Sequence, residues 1–249
     1  MKKRALDIVD DYVALLGTKG GPAIRPGSSM PTSNLVCLNG LQIVLDCGLG
    51  VTKGLVDQGM KLEDLSLIFI SHLHSDHYLE LGPLIHTAWM AGLKRPINIF
   101  GPDRLETYWI SFLASMKADI DLRIEDEGRP DLRSLVTFHI VDEGEVMIRN
   151  GIVVRALRTE HPPLMDSFAY SFKTVSTHVV FSGDTAPMEA LEDFARGADL
   201  LVHEAMLKSA LPALMARVGN GSDKLMTHLL CSHTFAADAA KTAQTAGVK

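Results

Sequence analysis

The chain has 249 residues, 47% of them hydrophobic and 22% charged, and a formal net charge of −6. That balance describes a globular α/β protein with room for one large domain or two small ones, and no apolar run approaches the roughly 20 residues of a membrane span. The acidic total, with no basic stripe in any one segment, argues against nucleic acid and favours small or neutral substrates.

The start, "MKKRALDIVDDYVALLG", carries acids where the apolar centre of a signal peptide belongs, so a cytoplasmic location is expected. Cys37, Cys47 and Cys231 are odd in number and form no close pair, which suggests buried thiols rather than a disulfide framework or a cysteine metal cage. "LVCLNGLQIVLDCG" reads as two strands around an Asn39-Gly40 hairpin turn. "LSLIFISH" follows as a continuous apolar strand, and "YLELGPLIHTAWMAG" after it has helical spacing. A strand "PINIFG" leads to a helix "PDRLETYWISFLASMK" with Pro102 near its first turn. "DIDLRIEDEGRPDL" reads as acidic and turn-rich. Strands recur in "VTFHIV", "EVMIRNGIVVRALRT" with a second hairpin turn at Asn150-Gly151, "SFAYSFKT" and "HVVFSGD". Helices return in "PMEALEDFARG", "EAMLKSALPALMARVG" and "TFAADAAKTAQTAG". No tandem repeat or linker interrupts this series, so residues 1–249 are expected to form one domain.

The chemistry sits in "FISHLHSDHYLE". His72 and His74, two apart at a strand end, project to one side where two imidazoles can share a metal ion. Asp76 and His77 fall in the turn that follows, and can serve a second ion about 3.5 to 4 Å away. One loop cannot fill two coordination spheres. His161 in "RTEHPP" and Asp184 in "FSGDT", each after a strand, are the further candidates, Asp184 as a carboxylate that bridges two cations.

In order, "SHLHSDH", "EHPPLMDSFAYSF", "FSGDTAP", "ADLLVHEAM" and "SHTFAADAAKTAQTAGVK" resemble the motifs of the metallo-β-lactamase superfamily, in its ribonuclease Z-like branch. The resemblance implies a four-layered αββα sandwich with two divalent metal ions, zinc or else manganese. By position, His72, His74 and His161 resemble the ligands of one ion, Asp76 and His77 those of the other, and Asp184 the bridge. Glu204 in "HEAM" and His233 in "SHTF" resemble a proton-handling pair, and Asp46 in "LDCG" a buried aspartate that orients a ligand histidine. Two cations sharing a water lower its pKa from about 15.7 toward 7, so hydrolysis is expected, with Asp76, His233 and Glu204 catalytic.

Two departures qualify the resemblance. The tRNA-processing members carry a long basic arm after the strand matching "SFAYSFKT", whereas "VSTHVVFSGD" follows here almost at once. A small ester-type substrate is therefore expected, a phosphodiester, sulfate ester, lactone or β-lactam, with a ribonuclease Z-type tRNA 3′-endonuclease and a non-catalytic metal-binding protein as alternatives. A homodimer is compatible with this reading. The family also continues beyond the helix that reaches Lys249 into a strand with one more ligand histidine, so the chain is expected to lack a C-terminal segment.

Overall fold

The structure is a computed structural model that describes residues 10–218 and 223–249. The charged start up to residue 9 and Gly219, at the end of one expected helix, lie outside the described residues. By internal packing, residues 10–70 with His74–His139 form one compact unit, and Ser71–Leu73 with Ile140–Lys249 form another.

The first unit is built on a sheet of β1 (Tyr12–Gly17), β2 (Ser33–Leu38), β3 (Leu41–Cys47), β4 (Leu67–Phe69), β5 (Ile97–Gly101) and β6 (Val136–Ile140), hydrogen-bonded in that order. The β2–β3 hairpin turns at Asn39-Gly40, where φ is positive at both residues (49° and 72°), as a two-residue turn matched to strand twist requires. Every residue of β2 is buried, and β3 pairs parallel with β4 and β4 with β5, which suits the unbroken apolar runs. Its helices are α1 (Val51–Asp57), α2 (Ser75–Tyr78), α3 (Leu81–Met90), α4 (Leu105–Ser115) and α5 (Lys117–Glu127). The strand expected to run to His72 ends at Phe69, so His72 and His74 stand in the loop beyond it. Pro102 lies ahead of α4, whose N-cap is Arg104.

Helix α5 replaces the turn-rich stretch expected there. Its apolar stripe is thin, with Ile120 its buried residue, and the helix is laced by i,i+4 ion pairs: Lys117 with Asp121, Asp119 with Arg123 at 3.0 Å, and Arg123 with Glu127 at 2.7 Å. Gly128, with φ 64°, ends it.

The second unit holds a sheet ordered β11 (Leu200–Val202), β10 (His178–Phe181), β9 (Phe168–Lys173), β8 (Ile152–Arg158) and β7 (Gly144–Arg149). β7, β8, β9 and β10 pair antiparallel in succession, and β11 joins β10 in parallel. Residues 174–177 alone connect β9 to β10. Helices α6 (Glu189–Phe194), α7 (Leu211–Val218), α8 (Asp223–Ser232) and α9 (Ala236–Ala246) complete it. Val180, Ala195, Ala198 and Ala246 form a small-residue core that lets α6 and α9 close in, with Phe194, Leu201 and Val248 packed around it. The helix expected over "EAMLKSALPALMARVG" is shorter: Met206 bridges Phe235, residues 208–210 make a 3₁₀ turn, and α7 begins at Leu211. Cys37 and Cys47 are buried as expected, but Cys231 is exposed on α8. Among the described residues, no helix is long and apolar enough to cross a membrane.

Candidate functional site

In the second unit, four loops that follow β8, β10, β11 and α8 deliver His161, Asp184, Glu204 and His233, and the three-residue segment Ser71–Leu73 brings His72 to them. The Asp184 turn depends on Gly183, whose φ is +57° and whose missing Cβ would stand 2.6 Å from the Phe168 carbonyl. Thr159 and Ser167 hydroxyls donate to the Asp184 carbonyl at 3.0 and 3.4 Å and hold its backbone.

Asp184 Oδ2 lies 3.8 Å from His72 Nε2 and 3.8 Å from His233 Nδ1. That is too long for a hydrogen bond. It is close to the roughly 3.4 Å between two ligands of one tetrahedral ion with bonds near 2.1 Å. Ligand atoms of His72, His161 and Asp184 all fall within 4.8 Å of one another, and the His72 and His161 rings meet edge to face at 4.8 Å. His161 Nδ1–H donates to the Ser232 carbonyl at 2.7 Å, which fixes the tautomer and leaves Nε2 with its lone pair. His72 Nδ1 and Ser71 Oγ are 3.0 Å apart, the same arrangement on a second ring. Histidine and carboxylate donors, with no thiolate among them, suit zinc or manganese, so the residues present fit a divalent cation.

Glu204 is anchored from both sides. Thr185 N–H donates to Oε1 at 2.6 Å, and Oε2 lies 2.8 Å from His233 Nδ1. Burial, with the neighbouring Asp184 charge, raises the Glu204 carboxyl to about 7 against the pull of His233. The Glu204 carboxylate and the His233 ring thus form a hydrogen-bonded pair beside Asp184.

In the first unit, α2 carries Asp76 and His77 and starts at His74, whose extended backbone (φ −88°, ψ 140°) caps it. His77 Nδ1–H donates to Asp46 Oδ2 at 2.8 Å, as expected for an orienting aspartate, with both side chains buried. Asp46 reaches it from a left-handed position, φ 63°, near the end of β3. Asp76 Oδ2 accepts from Gly21 N at 2.7 Å and lies 3.8 Å from His77 Nε2. The Asp76 backbone is reached so closely by the loop after β3 that a Cβ on Gly48 would come within 2.3 Å of its carbonyl. Asp46, Asp76 and His77 therefore gather in this unit, and His72, His161, Asp184, Glu204 and His233 in the other.

The remaining histidines divide. His139 bonds Asn98 at 2.9 Å and stacks on Phe100, and His86 bonds Asp119 at 2.9 Å, so both serve the fold. His178 opens β10; it bonds Ser171 at 2.9 Å, and burial lowers its pKa. His228, on α8, has its ring 5.8 Å from that of His161 and 5.5 Å from that of His233. Its Nδ1 and Ser232 Oγ are 3.2 Å apart.

Comparison with known proteins follows the same lines. The family described as Anti-Pycsar protein Apyc1 matches residues 13–233. Ribonuclease Z of Mycobacterium sp. (strain KMS) is 34% identical over 242 residues, covering 95% of this chain and 80% of that protein. Human tRNase Z, short form (ELAC1), superposes with a TM-score of 0.69 at 21% identity, covering 95% of this chain and 89% of that one. The metallo-β-lactamase fold protein YhfI from Bacillus subtilis gives 0.66 at 20% identity, with 95% and 82% covered. These neighbours show the fold, an α/β metallo-β-lactamase fold.

Proposed function

We propose, for a chain that belongs to the Apyc1 family within the ribonuclease Z-like branch of the metallo-β-lactamase superfamily, that it hydrolyses a small phosphodiester with two zinc ions. The coarser statement, a metal-dependent hydrolase of ester-type substrates, is carried by its relatives together with the His/Asp donor set. In our reading His72, His74, His161 and Asp184 would hold one ion, and Asp76 and His77, together with Asp184, would hold the other. When bound, such a pair supplies Lewis acidity and brings the pKa of a water toward 7.

The chain's own residues do the rest. Asp76 orients the attacking water. Asp46 and the Ser232 carbonyl fix the tautomers of His77 and His161. His233 delivers a proton to the leaving oxygen, and Glu204, 2.8 Å from Nδ1, sets the ring and balances its charge. The observation that carries the reading is this pair beside Asp184, with Nδ1 3.8 Å from the carboxylate: an acid placed next to a metal-binding donor set is what ester cleavage needs. A phosphodiester is favoured because the curated relatives are ribonucleases. A small one is favoured because β9 and β10 are joined by residues 174–177 alone, where tRNA-processing members carry an arm.

The identity of its relatives supports a second reading, cleavage of precursor tRNA. A substrate panel decides: bis(p-nitrophenyl) phosphate, linear and cyclic nucleotides, p-nitrophenyl sulfate, a lactone, a cephalosporin and precursor tRNA, each with zinc or manganese. Turnover of small diesters well above that of tRNA is expected. Preference for tRNA establishes the second reading, and no hydrolysis of any phosphodiester removes both.

A further inference from the structure

Residues 18–31, which lead from β1 toward β2, close on themselves. Lys19 N donates to the Met30 carbonyl at 3.0 Å, Lys19 bridges Pro31, and Thr18 Oγ1 donates to Ser29 Oγ at 3.1 Å. Within the loop Arg25 starts a turn, with Ser28 N bonded to its carbonyl at 3.0 Å and its own N bonded to Ser28 Oγ at 3.1 Å. The loop is tied to Asp76 through Gly21 N, 2.7 Å from Oδ2.

Two cations occupy this loop. Lys19 Nζ donates to the Gly20 and Gly21 carbonyls at 2.8 and 2.7 Å, so the ammonium is held at the glycines next to the Asp76 contact. Burial and then the Arg25 charge push the Lys19 pKa down, while Asp76 pulls it up. Neither cation belongs to an ion pair among the described residues, and the Lys19 ammonium is met by neutral carbonyls instead. Around them there is space: at Gly20 and Gly27 a Cβ would meet nothing within 4 Å, and at Gly21 it would meet Lys19 Nζ at 3.9 Å. Two like charges held together, one of them partly desolvated and satisfied by neutral carbonyls, are a standing cost that an arriving anion relieves.

We propose that Lys19 and Arg25 form an anion-recognising site beside Asp76, which takes the unreacting oxygens of a phosphodiester. The inference rests on the phosphodiesterase reading above and adds the residues that select charge. In a chain whose net charge is −6, recognition of an anionic substrate needs such a local reversal of sign.

The test separates charge recognition from chemistry. Lys19→Met and Arg25→Gln are each expected to lower kcat/KM for bis(p-nitrophenyl) phosphate about tenfold, mainly through KM. The loss should be less than about threefold for a neutral phosphate triester with the same nitrophenyl leaving group, and the salt dependence for the diester should flatten. Equal losses on both esters, or none on the diester, overturn the proposal. Calorimetric binding of inorganic phosphate to the zinc-loaded protein reads the same site without turnover: about tenfold weaker binding in either variant is expected, and unchanged binding overturns it. A protein that cleaves neither ester therefore refutes the hydrolytic reading while phosphate binding still decides on the cations. Should Lys19→Met fail to fold, Arg25→Gln, at a part-exposed turn position, answers alone.

Discussion

His77 and His233 each bring Nδ1 to within 2.8 Å of a carboxylate oxygen, yet the two pairs are built for different work. The side chains of His77 and Asp46 are 1% and 4% exposed, while those of His233 and Glu204 are 15% and 14% exposed. A second carboxylate, Asp184, stands 3.8 Å from His233 and helps raise Glu204 to about 7. The buried pair fixes a tautomer and keeps it. The more open pair has the exposure and the neighbouring charge that the proposed proton-handling role requires. Contact geometry alone does not distinguish an orienting carboxylate from a proton-handling one; access and neighbouring charge do.

The largest effect should come from removing a proposed metal ligand. Asp76→Asn is expected to lower kcat by about 10³-fold or more with the melting temperature little changed, since it removes a carboxylate but no core volume. Elemental analysis should show its metal content falling from about two ions per chain toward one; full occupancy with full activity sinks the assignment. Next, His233→Ala should cost about 10²-fold or more on diesters with poor leaving groups and under about tenfold on nitrophenyl diesters. Equal losses would show that His233 only positions.

Asp46→Asn tests the other side of the contrast. Its effect should appear as about 10- to 100-fold weaker metal binding, with activity recovered at high zinc. Activity lost at saturating metal would instead give the buried pair a chemical role. The smallest effect concerns Glu204→Gln in the metal-free protein. Because the folded carboxyl sits near 7 and its ordinary value is 4.5, the folded state keeps a proton that the unfolded chain releases between those values. Stability from this group is thus retained below about 4.5 and lost as pH rises through about 7. The wild type should lose a few degrees of melting temperature across that window relative to the variant; parallel curves would mean that Glu204 ionises like an exposed carboxylate.

Most of the architecture was legible where one force dominated. The paired hairpin turns and the apolar strands announced β2, β3, β7 and β8, and "SHLHSDH" announced a donor set because its residues are contiguous. Helix α5 was misread since its support comes from spaced ion pairs rather than an apolar face, and Asp119, Arg123 and Glu127 look like a mere excess of charge unless counted in fours. β11, three residues long, is too short for its periodicity to register. The surroundings of His228 are set by a different cause: tertiary folding brings His161 to it, and likewise brings the Ser232 carbonyl to His161.

The four residues between β9 and β10 have a consequence for how such a protein diversifies. Thr174 and Thr177 close the turn by themselves, with Thr174 N on the Thr177 carbonyl at 2.8 Å and Thr177 N on Thr174 Oγ1 at 2.9 Å, while Val175 is fully exposed. The β9–β10 register runs from Lys173 and His178 inward, outside residues 174–177, so an inserted segment whose ends lie close together is expected to leave it intact. Grafting a basic arm there is a one-step route from a small-molecule enzyme to one that grips a polymer, and deleting such an arm is the reverse route, with the catalytic residues untouched in either direction.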